Sequence, residues 1–207
     1  MGESFLTVEG LSGVPRIVST ISTLLQRVTD QNDTLASTRR QVPPSPPPPR
    51  YAVAFYALEK PEITIRCYLD RIFQFAHCSP SCYVVAYIYL DRFLNFHPSI
   101  AIDSFSVHRF LITAVLTSVK FMEDRCYNNA YFARVGGISL DEMNYLEVDF
   151  LFGLRFNLNV TPVIFSSYCS FLDKEMNLST PTIPPRLHCF PSEEESSSSC
   201  KQQQLIV

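Results

Sequence analysis

The fold is decided by residues 79–158, and above all by three stretches within them: YLDRFL at residues 89–94, SVKFMED at residues 118–124 and LEVDFL at residues 146–151. Each stretch lies in a segment with apolar residues at helical spacing, and each carries charged residues among dense apolar ones. A buried charge costs free energy unless it is paired. The Lys and Glu of these stretches therefore need a partner, either inside the fold or on another protein.

The segments around these stretches also predict helices, and none keeps the alternating pattern of a strand. Start and stop signals fit this interpretation: Ser79-Pro80 opens one helix, Ser139 with Glu142 forms a capping box, and Gly153 closes a helix. The apolar run from Phe110 to Val119 is shorter than the roughly 20 residues that span a bilayer, so it predicts a buried core helix. The predicted fold class is all-α.

Residues 15–32 predict an amphipathic helix with a single apolar stripe. The stripe needs a surface to pack on; its members are Ile17, Ile21, Leu24, Leu25 and Val28. Residues 33–60 predict a linker, since Pro43–Pro49 is rich in proline and such runs form semi-rigid spacers. A weaker interpretation of the same run is a ligand for an SH3 or WW domain.

The predicted organisation has six parts. They are a flexible N-terminus (1–14), an N-terminal helix (15–32), the Pro-rich linker (33–60), a helical domain (61–160), a C-terminal helix (161–177) and a disordered tail (178–207). The tail is rich in Pro, Glu and Ser, a composition that cannot bury a core.

Composition argues against several classes of function. The 207 residues include 17 Lys and Arg against 20 Asp and Glu, a net charge of −3, which predicts no nucleic-acid binding. The seven cysteines are irregularly spaced and no secretory signal opens the chain, which indicates free thiols in a reducing compartment. Cys78 and Cys82 lack the second ligand pair of a structural zinc site, so no metal is expected. Since no catalytic or cofactor motif is present, we expect neither an enzyme nor a cofactor.

Three charged positions remain to be explained. Asp91 lies within the apolar stripe of its helix, and Arg66 on the preceding helix is the best candidate for a structural ion pair with it. Lys120 and Glu147 stand at the edges of apolar segments. Spacing alone leaves two interpretations of them open, surface charges or contacts to a partner.

Together these motifs resemble the cyclin box, most closely that of the single-box plant cyclins of the U or P type, which are related to the yeast phosphate-pathway cyclin. Residues 89–94 resemble the second-helix signature of that family, and residues 118–124 resemble the end of its third helix. Residues 146–158, including LRFNL at 154–158, resemble its fifth helix and exit. The resemblance extends over residues 15–176.

The resemblance implies a five-helix cyclin box over residues 61–160 and a regulatory, activating subunit of a cyclin-dependent serine/threonine kinase, bound as a heterodimer in control of cell division. It implies kinase contacts at five positions: Lys120, Glu147, Phe121, Glu123 and Leu151. It also implies the internal ion pair of Arg66 with Asp91, no membrane association, and a location in the nucleus, the cytoplasm or both. The alternative function is a cyclin-fold adaptor that scaffolds transcription or signalling partners without activating a kinase.

Two departures from the family pattern limit the resemblance. Too few residues follow Thr161 for a second helical box. In addition, the substrate-docking motif of many cell-cycle cyclins is reduced here to Arg66 and Leu69, with Ile72 in place of the usual Trp. Docking of Arg-x-Leu substrates is therefore not expected.

Overall fold

The computed structural model describes residues 14–39, 53–124 and 128–177. These residues form seven α-helices and confirm the all-α prediction. The helices are α1 (Arg16–Arg39), α2 (Ile65–Ala76), α3 (Pro80–Phe96), α4 (Val107–Met122), α5 (Asn129–Gly136), α6 (Leu140–Gly153) and α7 (Pro162–Asn177). The predicted tail (178–207), the Pro43–Pro49 run and nearly all of the predicted flexible N-terminus lie outside the described residues. No helix within the described ranges is both long enough and apolar enough to cross a membrane.

Helices α3 and α4 form the centre of the domain. Residues 82–91 of α3 and 110–119 of α4 are buried without interruption, which confirms the core helix predicted from the run Phe110 to Val119. Helix α4 packs against α2, α3, α5 and α6, so these five helices make up one box around it. Burial of apolar surface at about 25 cal/mol per Å² makes this central pair the main source of stability.

An aromatic cluster closes the core and corrects one sequence prediction. The ring of Phe55 stacks on that of Phe110 with centroids 4.1 Å apart, and Phe93 stacks on Phe150 at 5.3 Å. Phe55 is fully buried, although it falls in the segment predicted as linker. The prediction of a linker over residues 33–60 is therefore wrong at Phe55, whose aromatic side chain joins the core, whereas residues 58–60 are exposed.

Helix α1 finds the surface that its apolar stripe requires. It packs against α2, α3 and α7, with Ile17, Ile21 and Leu25 buried. The helix continues beyond the predicted end at residue 32, and at that point its polar side chains bind the connection between α3 and α4. Asn32 Nδ2 donates to the Ile102 carbonyl at 2.7 Å, and Asp33 accepts from the Ser104 amide at 3.1 Å. The predicted linker is thus also wrong at residues 33–39, which are helical.

The helix-end signals predicted from the sequence agree with the structure at Ser139 but not at Ser79 or Gly153. Ser139 accepts from the Glu142 amide at 3.0 Å, which is the serine half of the predicted capping box, while the Glu142 side chain accepts from Arg109 Nε at 2.6 Å. Ser79 makes no side-chain cap at the start of α3. Gly153 does not close α6 through a left-handed conformation: a Cβ at this position would lie 2.0 Å from Phe93 Cε2, so glycine is required by the close approach of an aromatic ring.

Candidate functional site

The structure brings Lys120 and Glu147 together at the junction of α4 and α6. Lys120 is the first exposed residue after the buried run of α4, and Glu147 follows the buried Leu146 on α6. Lys120 Nζ donates to Glu147 Oε1 at 2.6 Å. The side chain of Lys120 is 34% exposed and that of Glu147 is 15% exposed, so the pair lies at the edge of the core, where a partner can reach it.

A residue that the sequence did not reveal orients Glu147. Asn129 Nδ2, in the first turn of α5, donates to Glu147 Oε2 at 2.7 Å and to Asn144 Oδ1 at 2.8 Å. Both oxygens of the Glu147 carboxylate therefore have donors, one from α4 and one from α5. In the sequence, Asn128-Asn129 marks only a helix start, and Asn128 does cap α5 by accepting from the Tyr131 amide. That signal says nothing about packing across α6.

Exposed apolar side chains adjoin the Lys120–Glu147 pair. Phe121 follows Lys120 and is 49% exposed, and Val148 follows Glu147 and is 50% exposed. Tyr145 and Phe152 extend the stripe along α6 at helical spacing. We call Phe121, Tyr145, Val148 and Phe152 the apolar face. Large exposed apolar side chains rimmed by polar groups are typical of an interaction surface.

Two other predicted contact residues are engaged within the chain. Glu123, the C-cap of α4, accepts from the Ser79 amide at 2.7 Å and from Cys82 Sγ at 3.4 Å. It thereby supplies an acceptor for the amide of Ser79, the residue that precedes α3. Leu151 is half-buried and its carbonyl accepts from the Phe156 amide at 3.0 Å. The kinase contacts at Glu123 and Leu151 stay predictions.

The predicted ion pair between Arg66 and Asp91 is wrong. Arg66 is 53% exposed in its side chain and pairs with Asp70 one turn along α2, at 3.5 Å. Asp91 is buried and accepts a hydrogen bond from the Tyr168 hydroxyl of α7. Burial raises the pKa of the Asp91 carboxyl to about 7, against the lowering effect of hydrogen bonds from Tyr168 and Asn95. Because the acid is easily neutralised at this pKa, it needs no cation in the core.

The described residues offer no arrangement for metal chemistry. Nowhere in the described ranges do three or more His, Cys, Asp or Glu side chains cluster as metal ligands. The surface that remains, a charged pair flanked by exposed apolar side chains, is suited to binding another protein.

Comparison with known proteins identifies what this chain resembles. A sequence model of the family described as Cyclin matches residues 15–158. Cyclin-P4-1 of Oryza sativa subsp. japonica is 58% identical over 194 residues, which is 92% of this chain and 90% of that protein. Cyclin-U4-1 of Arabidopsis thaliana is 50% identical over 206 residues, 97% of this chain and 98% of that protein. The more distant Cyclin-U1-1 of Arabidopsis thaliana is 38% identical over 167 residues, 81% of this chain and 77% of that protein.

Proposed function

Because this chain belongs to the cyclin family and matches its plant U- and P-type members, we propose that it is the activating subunit of a cyclin-dependent serine/threonine protein kinase. Cyclins are regulatory subunits and not themselves enzymes. The finer proposal is that this chain forms a heterodimer with such a kinase through the Lys120–Glu147 pair and the apolar face, in control of cell division.

One observation supports the proposal: three of the five residues that the family resemblance assigned to kinase contact, Lys120, Glu147 and Phe121, lie together at the α4–α6 junction. Lys120 and Glu147 come from different helices and are 27 residues apart in sequence, yet their charged atoms lie 2.6 Å apart. Phe121 lies beside them with about half of its surface exposed. A charged pair held next to exposed aromatic side chains combines orientation with contact area, as interface anchors do.

The proposed mechanism is a shift in the population of kinase conformers. Phosphoryl transfer requires the kinase β3 Lys to pair with the Glu of its mobile αC helix. A subunit that binds only the conformer with this helix turned inward stabilises that conformer. Moving the equilibrium from 1:99 to 99:1 requires about 5.5 kcal/mol of differential binding. Burial of the apolar face contributes to this difference only where the inward conformer, and not the outward one, contacts the face.

Within this proposal the chain supplies no catalytic atom. Its role is to present the apolar face in a fixed orientation, with the Lys120–Glu147 pair available to exchange its internal hydrogen bond for contacts to the kinase. Such contacts improve specificity more than raw affinity, since desolvating the pair costs free energy. The complex is proposed to act in the nucleus, the cytoplasm or both, which fluorescence microscopy of a tagged full-length chain tests.

A pull-down with activity assay tests the proposal. Full-length protein is used to capture kinases from a plant extract, alongside the Lys120→Ala/Glu147→Ala double variant. The matched control is Arg66→Ala/Asp70→Ala, which removes the Arg66–Asp70 ion pair from α2 and leaves the α4–α6 junction intact. We expect an active cyclin-dependent kinase with wild type and with the control, and its loss with the double variant.

The outcomes separate the proposal from its alternative. Capture of a kinase that phosphorylates no faster with this chain than without it would favour the cyclin-fold adaptor. Equal capture by wild type and by the double variant would contradict the assigned surface. If no kinase is captured, the Pro43–Pro49 run, which lies outside the described residues, becomes the binding segment to test against SH3 and WW domains.

A further inference from the structure

A polar cleft of about 270 Å³ lies between α1 and the end of α7. One wall is a stripe of α1 that runs from Arg16 to Arg27 at helical spacing. The other wall is the last turn of α7, with Glu175 and Met176. None of these residues belongs to the apolar face or to the Lys120–Glu147 pair, so the proposed kinase surface does not account for the cleft.

The charges of the cleft favour an anionic occupant. Arg27 Nη1 pairs with Glu175 Oε2 at 3.3 Å, which uses one of the five N–H donors of the guanidinium. Arg16 is exposed and pairs with no carboxylate within the described ranges. With two arginines and a single glutamate along its walls, the cleft carries an excess of positive charge.

The hydroxyl groups between the two arginines act as acceptors. Thr20 Oγ1 donates to the Arg16 carbonyl at 2.9 Å, and Thr23 Oγ1 donates to the Ser19 carbonyl at 3.0 Å. Their protons are therefore used within α1, and the donors available to an occupant are the two guanidinium groups. Guanidinium groups bind carboxylates through parallel N–H bonds. The cleft thus fits an extended stretch of chain that brings carboxylates.

The chain itself carries such a stretch after α7. Helix α7 ends at Asn177, two residues after Glu175, so the chain leaves the helix at the cleft. The 30 residues that follow, 178–207, lie outside the described residues and include Glu193–Glu195. This is the only place in the sequence where three carboxylates are consecutive.

The intervening chain has a suitable length. Arg16 and Arg27 are 11 positions apart, which is about 17 Å along a helix. The 16 steps from Asn177 to Glu193 span roughly 20–24 Å as a flexible chain, so the glutamates reach either arginine. A linker that matches its span gives a local concentration in the millimolar range. Exposed charge pairs too weak to hold a free peptide are then sufficient.

We propose that Glu193–Glu195 binds in the cleft between α1 and α7 and thereby ties the end of α7 to α1. Within α7, Tyr168 and Leu172 are the buried residues, so a second attachment at its end opposes detachment of the helix. Because the contacts are exposed ion pairs, salt weakens them. The inference is independent of the proposed function, since it requires no kinase.

Carbodiimide cross-linking of the full-length protein tests the proposal. The reagent joins a carboxylate to a lysine amine in direct contact, so Arg16→Lys supplies an amine and keeps the positive charge. Peptide mapping by mass spectrometry should find a link from position 16 to one of the three glutamates. Arg134→Lys is the matched control, because it places an amine at an exposed position of α5, which packs on α2, α4 and α6.

The cross-links decide between several occupants. A link at position 16 within one molecule, absent at position 134 and several-fold weaker in about 1 M salt, supports the proposal. No link at position 16, or equal links at both positions, would overturn it. Links found only between two molecules, separated on a denaturing gel, would assign the cleft to a second copy and would also overturn it.

Hydrogen exchange measures the effect on α7. The triple variant Glu193→Gln/Glu194→Gln/Glu195→Gln should raise exchange several-fold at the end of α7 and leave α4 unchanged. Glu62→Gln, which neutralises an exposed carboxylate before α2, is the control and should exchange as wild type. Unchanged exchange in the triple variant would show that the glutamates do not hold α7.

Charge reversal separates a direct contact from a general effect of charge. Arg16→Glu should raise exchange at the end of α7 as the triple variant does. Combining it with Glu193→Lys/Glu194→Lys/Glu195→Lys should restore slow exchange, because opposite charges again face each other across the cleft. Failure of this combination to restore exchange, in a protein that circular dichroism shows to be folded, would contradict the contact.

Discussion

The Tyr168 hydroxyl of α7 donates a hydrogen bond to the buried carboxyl of Asp91 on α3. Tyr168 and Leu172 are the buried residues of α7, so this contact helps to hold the last helix on the box, together with the Arg27–Glu175 ion pair at 3.3 Å. Asp91 belongs to the stretch from which the fold was predicted, but its partner is a hydroxyl from a later helix and not the cation expected on α2. Its carboxyl, with a pKa raised to about 7 by burial, makes stability depend on pH.

Stability should fall as pH rises from about 4 to about 7. The unfolded chain releases the Asp91 proton near pH 3.9, whereas the folded protein retains it to about pH 7. The folded state therefore binds more protons in this window, and the contribution is complete below about pH 4 and lost as pH rises through about 7. In Asp91→Asn this fall, on the order of a few kcal/mol, should be missing from the free energy of unfolding measured in urea.

Asp173→Asn is the matched control for this measurement, because it removes an exposed carboxylate from α7. Its pH profile should follow that of wild type. Identical profiles for wild type and Asp91→Asn would show that Asp91 does not retain its proton in the folded protein.

Tyr168→Phe should destabilise the protein. The substitution keeps the ring and removes the hydroxyl that donates to Asp91, so a buried acceptor loses a partner at a cost of about 1–3 kcal/mol. The urea midpoint should fall, and amides of α7 should exchange faster than those of α4. Tyr145→Phe, at a site 72% exposed on α6, should leave both measurements unchanged. A wild-type midpoint for Tyr168→Phe would mean that the hydroxyl contributes nothing to docking of α7.

The helices were predictable because their signals are local. The run Phe110 to Val119 and the N-cap at Ser139 each specify structure within a few residues: the run is buried, and Ser139 accepts from the Glu142 amide. The burial of Phe55 was not predictable, since the proline-rich composition before it indicated a linker and only its stacking on Phe110 shows otherwise. Local patterns do not encode which distant ring a side chain meets.

The site was predictable only in part, because local patterns do not encode contacts between distant residues. The family resemblance drew attention to Lys120 and Glu147, but nothing in their spacing showed that they meet at 2.6 Å. Arg66 and Asp91 were paired on charge alone, and that failed because a buried carboxyl can be neutralised instead of paired. Asn129 was missed because its role depends on how α5 lies over α6.

Gly153 and Gly137 should respond differently to the same substitution. Gly137 has φ +74° with no atom within 4 Å of a built Cβ, so Gly137→Asn, a residue that tolerates the left-handed region, should cost little. At Gly153 a Cβ would meet the Phe93 ring at 2.0 Å. Gly153→Asn should therefore displace Phe93 and lower the free energy of unfolding by about 1–3 kcal/mol or more.

Urea unfolding of the two glycine variants, with intact secondary structure checked by circular dichroism, makes this comparison. Similar losses at both positions would show that the contact with the Phe93 ring does not account for the cost of a side chain at Gly153.

Asn129→Ala should weaken kinase binding although Asn129 is not among the assigned contacts. Its amide donates to Glu147 Oε2 at 2.7 Å, so its removal frees the carboxylate to rotate away from Lys120. A single hydrogen bond of about 0.5–1.5 kcal/mol corresponds to a roughly 2- to 10-fold loss of affinity for the captured kinase. Asn159→Ala, at an exposed position after α6, is the control and should bind as wild type. Unchanged affinity for Asn129→Ala would mean that Lys120 alone orients Glu147, and that the hydrogen bond from Asn129 to Oε2 does not affect kinase binding.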